Sequence, residues 1–241
     1  VSFSLYGRYL RTQEPSELGL ENGKPTHMTH MLSPLAELGR AGRRVVIAYS
    51  PVTEASSAVV ARLSAILPRG ERLRLGRFAH QKDRIAFAQA HLLMHGCIEQ
   101  VTGRRNLRFT ENRYGKPELT PPWGSPPLCF NLTHSTHMVA CALARGLDVG
   151  IDAETDYPHS DCLELAYQYF TAAEFAWLRT RASDARPAAF SSIWTMKEAV
   201  LKAKGLGLHG DLQSFTVDVE TQSVDFGVDP EAGEQEWRIE S

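Results

Sequence analysis

The side chains of this chain best suited to chemistry are three carboxylates and two lysines, carried by two short segments about forty residues apart: Asp152 and Glu154 in VGIDAE (Val149 to Glu154), and Lys197, Glu198 and Lys202 in WTMKEAVLKAKG (Trp194 to Gly205). Hard oxygen ligands suit Mg²⁺, which takes few carboxylates and completes its octahedron with water and substrate phosphate oxygens. Ammonium groups close by neutralise the same phosphates. The combination points to a divalent cation held against a phosphate ester.

The elements that carry these groups must be rigid. VGIDAE reads as a strand, in which alternation puts Asp152 and Glu154 on one face and Ile151 and Ala153 on the other. The second segment reads as a helix with apolar positions at Ile193, Met196, Ala199, Val200 and Ala203, and Gly205 stands where a left-handed C-cap is expected. Glu198 and Lys202, four apart, share a helical face. Taken singly, each segment also has a plain reading. Asp-x-Glu serves as a solvated edge or a turn cap, and Glu198 with Lys202 as an exposed ion pair worth about 0.3–0.5 kcal/mol.

Two upstream stretches add to the case. Tyr114-Gly115-Lys116-Pro117 is a turn signal carrying a lysine. Phe130-Asn131-Leu132-Thr133-His134-Ser135 closes an apolar run with hydroxyls and an imidazole, groups that bind phosphate oxygens at a strand end. Alone, the first is a routine turn and the second a routine polar loop; their order and spacing relative to the acidic segments carry the information.

In that order, YGKP, FNLTHS, VGIDAE and WTMKEAVLK resemble the successive motifs of the Sfp-type 4′-phosphopantetheinyl transferases: a (V/I)G(I/V)D segment, then (W/F)-x-x-KE-(A/S)-x-x-K some forty residues later. The resemblance covers roughly Val45 to Phe215. It implies an α+β fold of two similar halves related by a pseudo-twofold, each a small, mostly antiparallel sheet packed on helices. Coenzyme A and Mg²⁺ would lie in the cleft between the halves. The implied reaction moves the phosphopantetheine arm of coenzyme A to a serine of an acyl, peptidyl or polyketide carrier protein and releases adenosine 3′,5′-bisphosphate. Carried over motif by motif, Asp152, Glu154 and Glu198 would hold Mg²⁺, with Mn²⁺ fitting the same oxygen donors. Lys202 would stand beside the transferring phosphate, and Lys116, Thr133 and His134 would contact the nucleotide and its phosphates. Glu198 or a water on the metal would take the serine proton.

The chain departs from the family pattern in places. Thr133 keeps the hydroxyl where many relatives have serine, and Thr195 stands where Ser or Cys is frequent. Glu174, after Tyr169-Phe170-Thr171, matches the intermediate F-(S/T)-x-x-E signature, and a structural role is expected for it. The 3′-phosphate of coenzyme A calls for basic residues. Arg69, Arg72, Arg74 and Arg77 supply them, with Arg74 aligning best, against the plain reading of a solvated basic loop. After Phe215 to Val219 and Glu236 to Ile239 the sequence ends where relatives continue. The second sheet is therefore expected either to be shortened or to replace its last strand with residues from the N-terminal segment.

Composition agrees with this reading. The 241 residues are 43% hydrophobic, enough for one large domain or two intimate halves. A net charge of −2 gives no bias toward nucleic acid, so any basic patch is local. Cys97, Cys129, Cys141 and Cys162 form no CxxC pair, which favours reduced thiols and a cytoplasmic protein. No signal core is read at the N-terminus, and the longest apolar run, Met138 to Ala144, is too short to span a bilayer.

Three segments are expected: 1–41, an extension interrupted at Pro34 despite helical spacing of Met28, Met31, Leu32 and Leu35; 42–147, the first half; and 148–241, the second half with the metal site. The first half should contain a strand at Arg43 to Tyr49 and a helix capped by Thr53, with Val59, Val60, Leu63, Ile66 and Leu67 inward and Pro68-Arg69-Gly70 ending it. A long helix from Gln81 should stop near Gly103, before strands at Leu107 to Phe109, Leu128 to Leu132 and Met138 to Ala144. Arg145-Gly146 should turn the last of these into a hairpin with Val149 to Asp152. Pro121, Pro122, Pro126 and Pro127 read as a rigid loop. In the second half, helices are expected near Asp161 to Tyr169, Ala172 to Thr180 and Ala188 to Lys204. One chain supplies both halves, so a monomer is expected. Two other functions fit parts of the sequence: a binding module for coenzyme A or a carrier that has lost turnover, and a zinc hydrolase using His91 and His95 with His134 and His137. Against the second, no glutamate follows His91 in the HExxH manner.

Overall fold

The computed structural model describes residues 2–6, 20–21, 24–25, 45–52, 57–105, 107–120, 123–154, 161–227, 237 and 239–240. In chain order, the elements up to the turn before the acidic strand are β1 (Ser2–Tyr6), β2 (Leu20–Glu21), β3 (Lys24–Pro25), β4 (Val45–Pro51), α1 (Ser57–Ile66), α2 (Arg69–Leu75), α3 (Gln81–Thr102), β5 (Arg108–Glu111), β6 (Pro117–Thr120), β7 (Leu128–His134) and β8 (Met138–Arg145). Then follow β9 (Ile151–Glu154), α4 (Cys162–Tyr169), α5 (Ala172–Arg179), α6 (Arg186–Lys204), β10 (Thr216–Asp218), β11 (Ser223–Asp225) and β12 (Ile239–Glu240). The architecture is α+β, with small antiparallel sheets packed on helices.

In the first half, β4, β8 and β7 form an antiparallel sheet in that order, backed by α3. The central strand β8 is a nearly unbroken apolar run because both its faces are covered. Cys141 and Leu143 meet Met94, Cys97 and Ile98 of α3, while Ala140, Ala142 and Ala144 pack with Val45, Val149 and Ile151 on the other side. Through that second face the sheet touches the start of the acidic strand. Helix α3 stops at Gly103, whose φ of 69° takes the left-handed C-cap.

In the second half, α6 lies across β1 and β9. Its expected inner face is realised, with Ile193, Met196, Ala199, Val200 and Ala203 all buried. Full burial of each larger aliphatic among them contributes about 1.5–3 kcal/mol. Gly205, at φ 70°, ends the helix while Leu206 N–H bonds Leu201 O at 3.1 Å. Thr171 and Glu174 form a reciprocal capping box at the start of α5.

Several elements differ from expectation. The β8–β9 hairpin does not form. Both edges of β8 are already paired, with β4 and β7, so β9 pairs with β1 in a separate sheet ordered β12-β1-β9. The N-terminal segment contributes to that sheet: β1 stands in the middle, between β9 and β12, with Ser4 opposite Asp152. Pro68-Arg69-Gly70 opens the helix α2, which carries Arg69, Arg72 and Arg74 in place of a loop. Ile66 is 70% exposed, since α1 ends there and Leu67 takes the inward place. Strand β6 pairs with β5 across the YGKP turn, which read only as a turn. Met28, Met31, Leu32, Leu35, Thr53, Pro121, Pro122, Glu236 and Arg238 lie outside the described residues, as does the Val59 side chain. Among the described residues, no helix is long and apolar enough to cross a membrane.

Candidate active site

Strand β9 is brought to α6 by its neighbour Gly150. A Cβ there would stand 2.0 Å from Ala199 O and 2.5 Å from Ala203 N, so only glycine lets the two backbones approach this closely. From the other side, β7 holds β9 through side chains. Asn131 Oδ1 accepts the Ile151 N–H at 2.9 Å, and Thr133 Oγ1 donates to Asp152 Oδ1 at 3.2 Å. The FNLTHS segment therefore fixes the strand that carries the acids.

Lys202 closes the arrangement from α6. Its ammonium donates to Asp152 Oδ1 at 2.5 Å, to Ile151 O at 3.2 Å and to Thr133 Oγ1 at 3.3 Å. All three protons of the group have partners. Asp152 is buried, yet its second oxygen, Oδ2, has no hydrogen-bond partner among the described residues. An orphaned buried carboxylate oxygen is costly unless a ligand uses it. Glu198, one turn before Lys202, is half-buried. Burial raises its pKa above the ordinary value; Lys202 opposes that, and the nearby Asp152 charge pushes it further up. Two carboxylates are thus within electrostatic reach of each other beside one lysine.

Glu154, two residues along β9, borders a small cleft of about 190 Å³ together with Lys82 and Asp83 of α3 and His134, Ser135 and Thr136 at the β7–β8 turn. The His134 pKa is lowered by burial first, then by the Lys202 and His91 charges, so at neutral pH the imidazole is uncharged and offers one N–H. Lys82 and Asp83 were not anticipated, for their i, i+1 placement in a long helix carries no motif.

Elsewhere the expected site residues have protein partners of their own. Lys116 Nζ donates to Ala203 O at 2.8 Å and sits 3.4 Å from Val149 O, tying the YGKP turn to the end of α6 and the entry to β9. Burial lowers its pKa. Arg74 bonds Glu111 at 2.8 Å and lies 5.9 Å from the Phe87 ring centroid, with that ring 6.4 Å from His134. Lys197, grouped with Lys202 by sequence, faces the opposite way. It is fully buried, bonding Glu174 at 2.8 Å, Leu212 O at 2.6 Å and Phe215 O at 2.5 Å. Five residues of helix turn Lys197 about 140° from Lys202, which takes it into the core.

The fit of a divalent cation rests on two observations: the donors are all oxygen, and Asp152 Oδ2 is unpartnered among the described residues. Among the described residues, no three His, Cys, Asp or Glu side chains are gathered as a ready-made metal cluster. Mg²⁺ does not need one, since one or two carboxylates plus substrate phosphates suffice. The zinc reading finds no ready-made ligand cluster among the described residues either.

The sequence is also similar to those of known proteins. A family model described as the 4′-phosphopantetheinyl transferase superfamily matches residues 148–241. The chain is 30% identical over 154 residues to the 4′-phosphopantetheinyl transferase gsp of Aneurinibacillus migulanus, covering 61% of this chain and 60% of the relative. It is 32% identical over 157 residues to Sfp of Bacillus subtilis (64% and 67% covered) and 30% identical over 158 residues to ffp of Bacillus subtilis (65% and 68%). The chain spans somewhat under two thirds of the length of gsp. With the motif order, the α+β architecture and these relatives in agreement, the chain belongs to the 4′-phosphopantetheinyl transferase superfamily.

Proposed function

We propose that this protein transfers the 4′-phosphopantetheine arm of coenzyme A to a serine hydroxyl of an apo carrier protein. The observation that carries the reading is the junction of Asp152, Lys202 and Thr133, with Asp152 Oδ2 unpartnered among the described residues and Glu198 beside it. In the reaction a bond forms between serine Oγ and the phosphorus bearing pantetheine, the bridging P–O bond of the diphosphate breaks, and adenosine 3′,5′-bisphosphate leaves. The serine proton passes to Glu198, a carboxylate whose pKa burial raises above the ordinary value. Such transfers depend mainly on positioning and charge neutralisation.

Asp152 and Glu198 would hold Mg²⁺, or Mn²⁺ through the same oxygens, with Glu154 the third donor that the resemblance implies. When bound, the ion neutralises charge on the diphosphate. Lys202 adds its charge at the transferring phosphate, Thr133 keeps Lys202 and Asp152 aligned, and His134 offers an N–H to the phosphates from the cleft. Arg74 is assigned to the 3′-phosphate. Lys116 serves the nucleotide side by holding the turn against α6. All these groups come from one chain, which supports action as a monomer, and the free thiols of Cys97, Cys129, Cys141 and Cys162 support a cytoplasmic setting.

The test is incubation with coenzyme A, Mg²⁺ and apo acyl or peptidyl carriers, followed by mass spectrometry. A phosphopantetheine mass on the carrier, lost in Asp152→Ala, is the expected result. No modification of any carrier by a protein that still binds coenzyme A would replace the transferase with a binding module.

A further inference from the structure

One buried acid has no part in the reading above. Helix α2 (Arg69–Leu75) is only seven residues long and has no side-chain bond at its N-cap, so it depends on tertiary contacts. Arg69, Arg72, Leu73 and Arg74 are exposed, while Leu75 and Glu71, four apart, face α3. There the Glu71 carboxylate, 14% exposed, enters between His91 and His95, one turn apart on α3. His95 Nε2 lies 2.9 and 3.1 Å from the two carboxylate oxygens, and His91 Nδ1 lies 3.2 Å from Oε1. Burial alone would raise the Glu71 pKa, but the two histidines beside it outweigh burial and bring it down to about 2.

This contact continues toward the cleft. The His91 ring lies 4.1 Å from the Phe87 ring, centroid to centroid, and Phe87 is the ring that Arg74 approaches and that faces His134. Glu71 therefore fixes both the short helix that bears Arg74 and, through His91, the ring beneath the guanidinium. We propose that Glu71, clasped by His91 and His95, is a positioning residue for Arg74 and so sets the preference of the site for a nucleotide with a 3′-phosphate over its dephospho form. The proposal rests on the assignment of Arg74 to that phosphate.

Calorimetric titration with coenzyme A and with dephospho-coenzyme A tests it without any carrier, on the unmodified protein, Glu71→Gln and Arg74→Ala. Glu71→Gln keeps the size and removes the charge. Expected is a loss of roughly three- to tenfold in coenzyme A affinity with dephospho-coenzyme A changed less than about twofold, a contrast of up to about 1.4 kcal/mol. An unchanged ratio, or equal weakening of both ligands as a purely structural role would give, overturns the clasp. If Glu71→Gln is unfolded at the assay temperature, His95→Gln carries the same comparison with the same outcomes. Arg74→Ala that leaves the ratio unchanged sinks the assignment beneath the proposal, whereas an Arg74→Ala effect without a Glu71→Gln effect sinks the clasp alone.

Discussion

At Asp152 the two carboxylate oxygens have different environments. Oδ1 is bonded by Lys202 and Thr133, while Oδ2 is buried without a partner among the described residues. That asymmetry arises from three segments that no single motif contains. Glu198 next to it gives a pH test. Its raised pKa keeps it protonated to higher pH than an ordinary glutamate, and a base acts only when deprotonated. The acid limb of kcat/KM should therefore lie above the ordinary value of 4.5, with activity rising as pH increases through it. Glu198→Gln should lower kcat by about 10²–10⁴-fold and abolish the limb. A pH–rate profile of the variant that keeps the wild-type limb would assign the titration to another group.

Among the elements, α6 separates two tasks by angle. One face carries Glu198 and Lys202 to the site; another carries Lys197 into the core, where Glu174 also accepts the backbone N–H groups of Thr171 and Val217. Lys197 shares residue type with the reactive lysine but stands about 140° from it around the helix, a phase its spacing already carries; Glu174, expected to be structural, meets it inside the protein. Glu174→Ala should cost about 3–5 kcal/mol by urea denaturation, as it leaves a buried ammonium unpaired. The double variant Glu174→Leu with Lys197→Met should lose less than the single one. The approach of β9 to α6 supplies a second test. Gly150→Ala forces the strand away from the backbone at Ala199 and Ala203, with an expected destabilisation of at least about 1–3 kcal/mol in thermal or urea melts. It should also lose carrier modification out of proportion to stability, since Asp152 and Lys202 move apart.

For the molecule as a whole, the edge strands of the two main sheets, β7 and β9, are joined by side chains. Asn131 Oδ1 takes the Ile151 N–H, and Thr133 takes up Asp152. Asn131→Ala should leave that buried N–H unsatisfied, at a cost of about 1–3 kcal/mol. Amide exchange should rise at Ile151 and Asp152 before it rises in β8, whose pairing to β4 and β7 is untouched. Equal protection at β9 in variant and parent would show that the halves are held together by apolar packing alone.

The order of the motifs, the helical and strand periods of the acidic segments and the glycine cap of α6 are local or compositional facts, and the sequence by itself determined them. Which strand β9 would pair with was beyond its reach, because the free edge it needed was closed on β8 and open on β1, a matter of which partners were already taken. Only tertiary contact decided that Lys116 would meet carbonyls at the end of α6, that Lys197 would turn inward, and that Glu71 would lie between two histidines. A charged side chain acquires its role from the dielectric and the partners around it, and those are assembled from residues far apart along the chain.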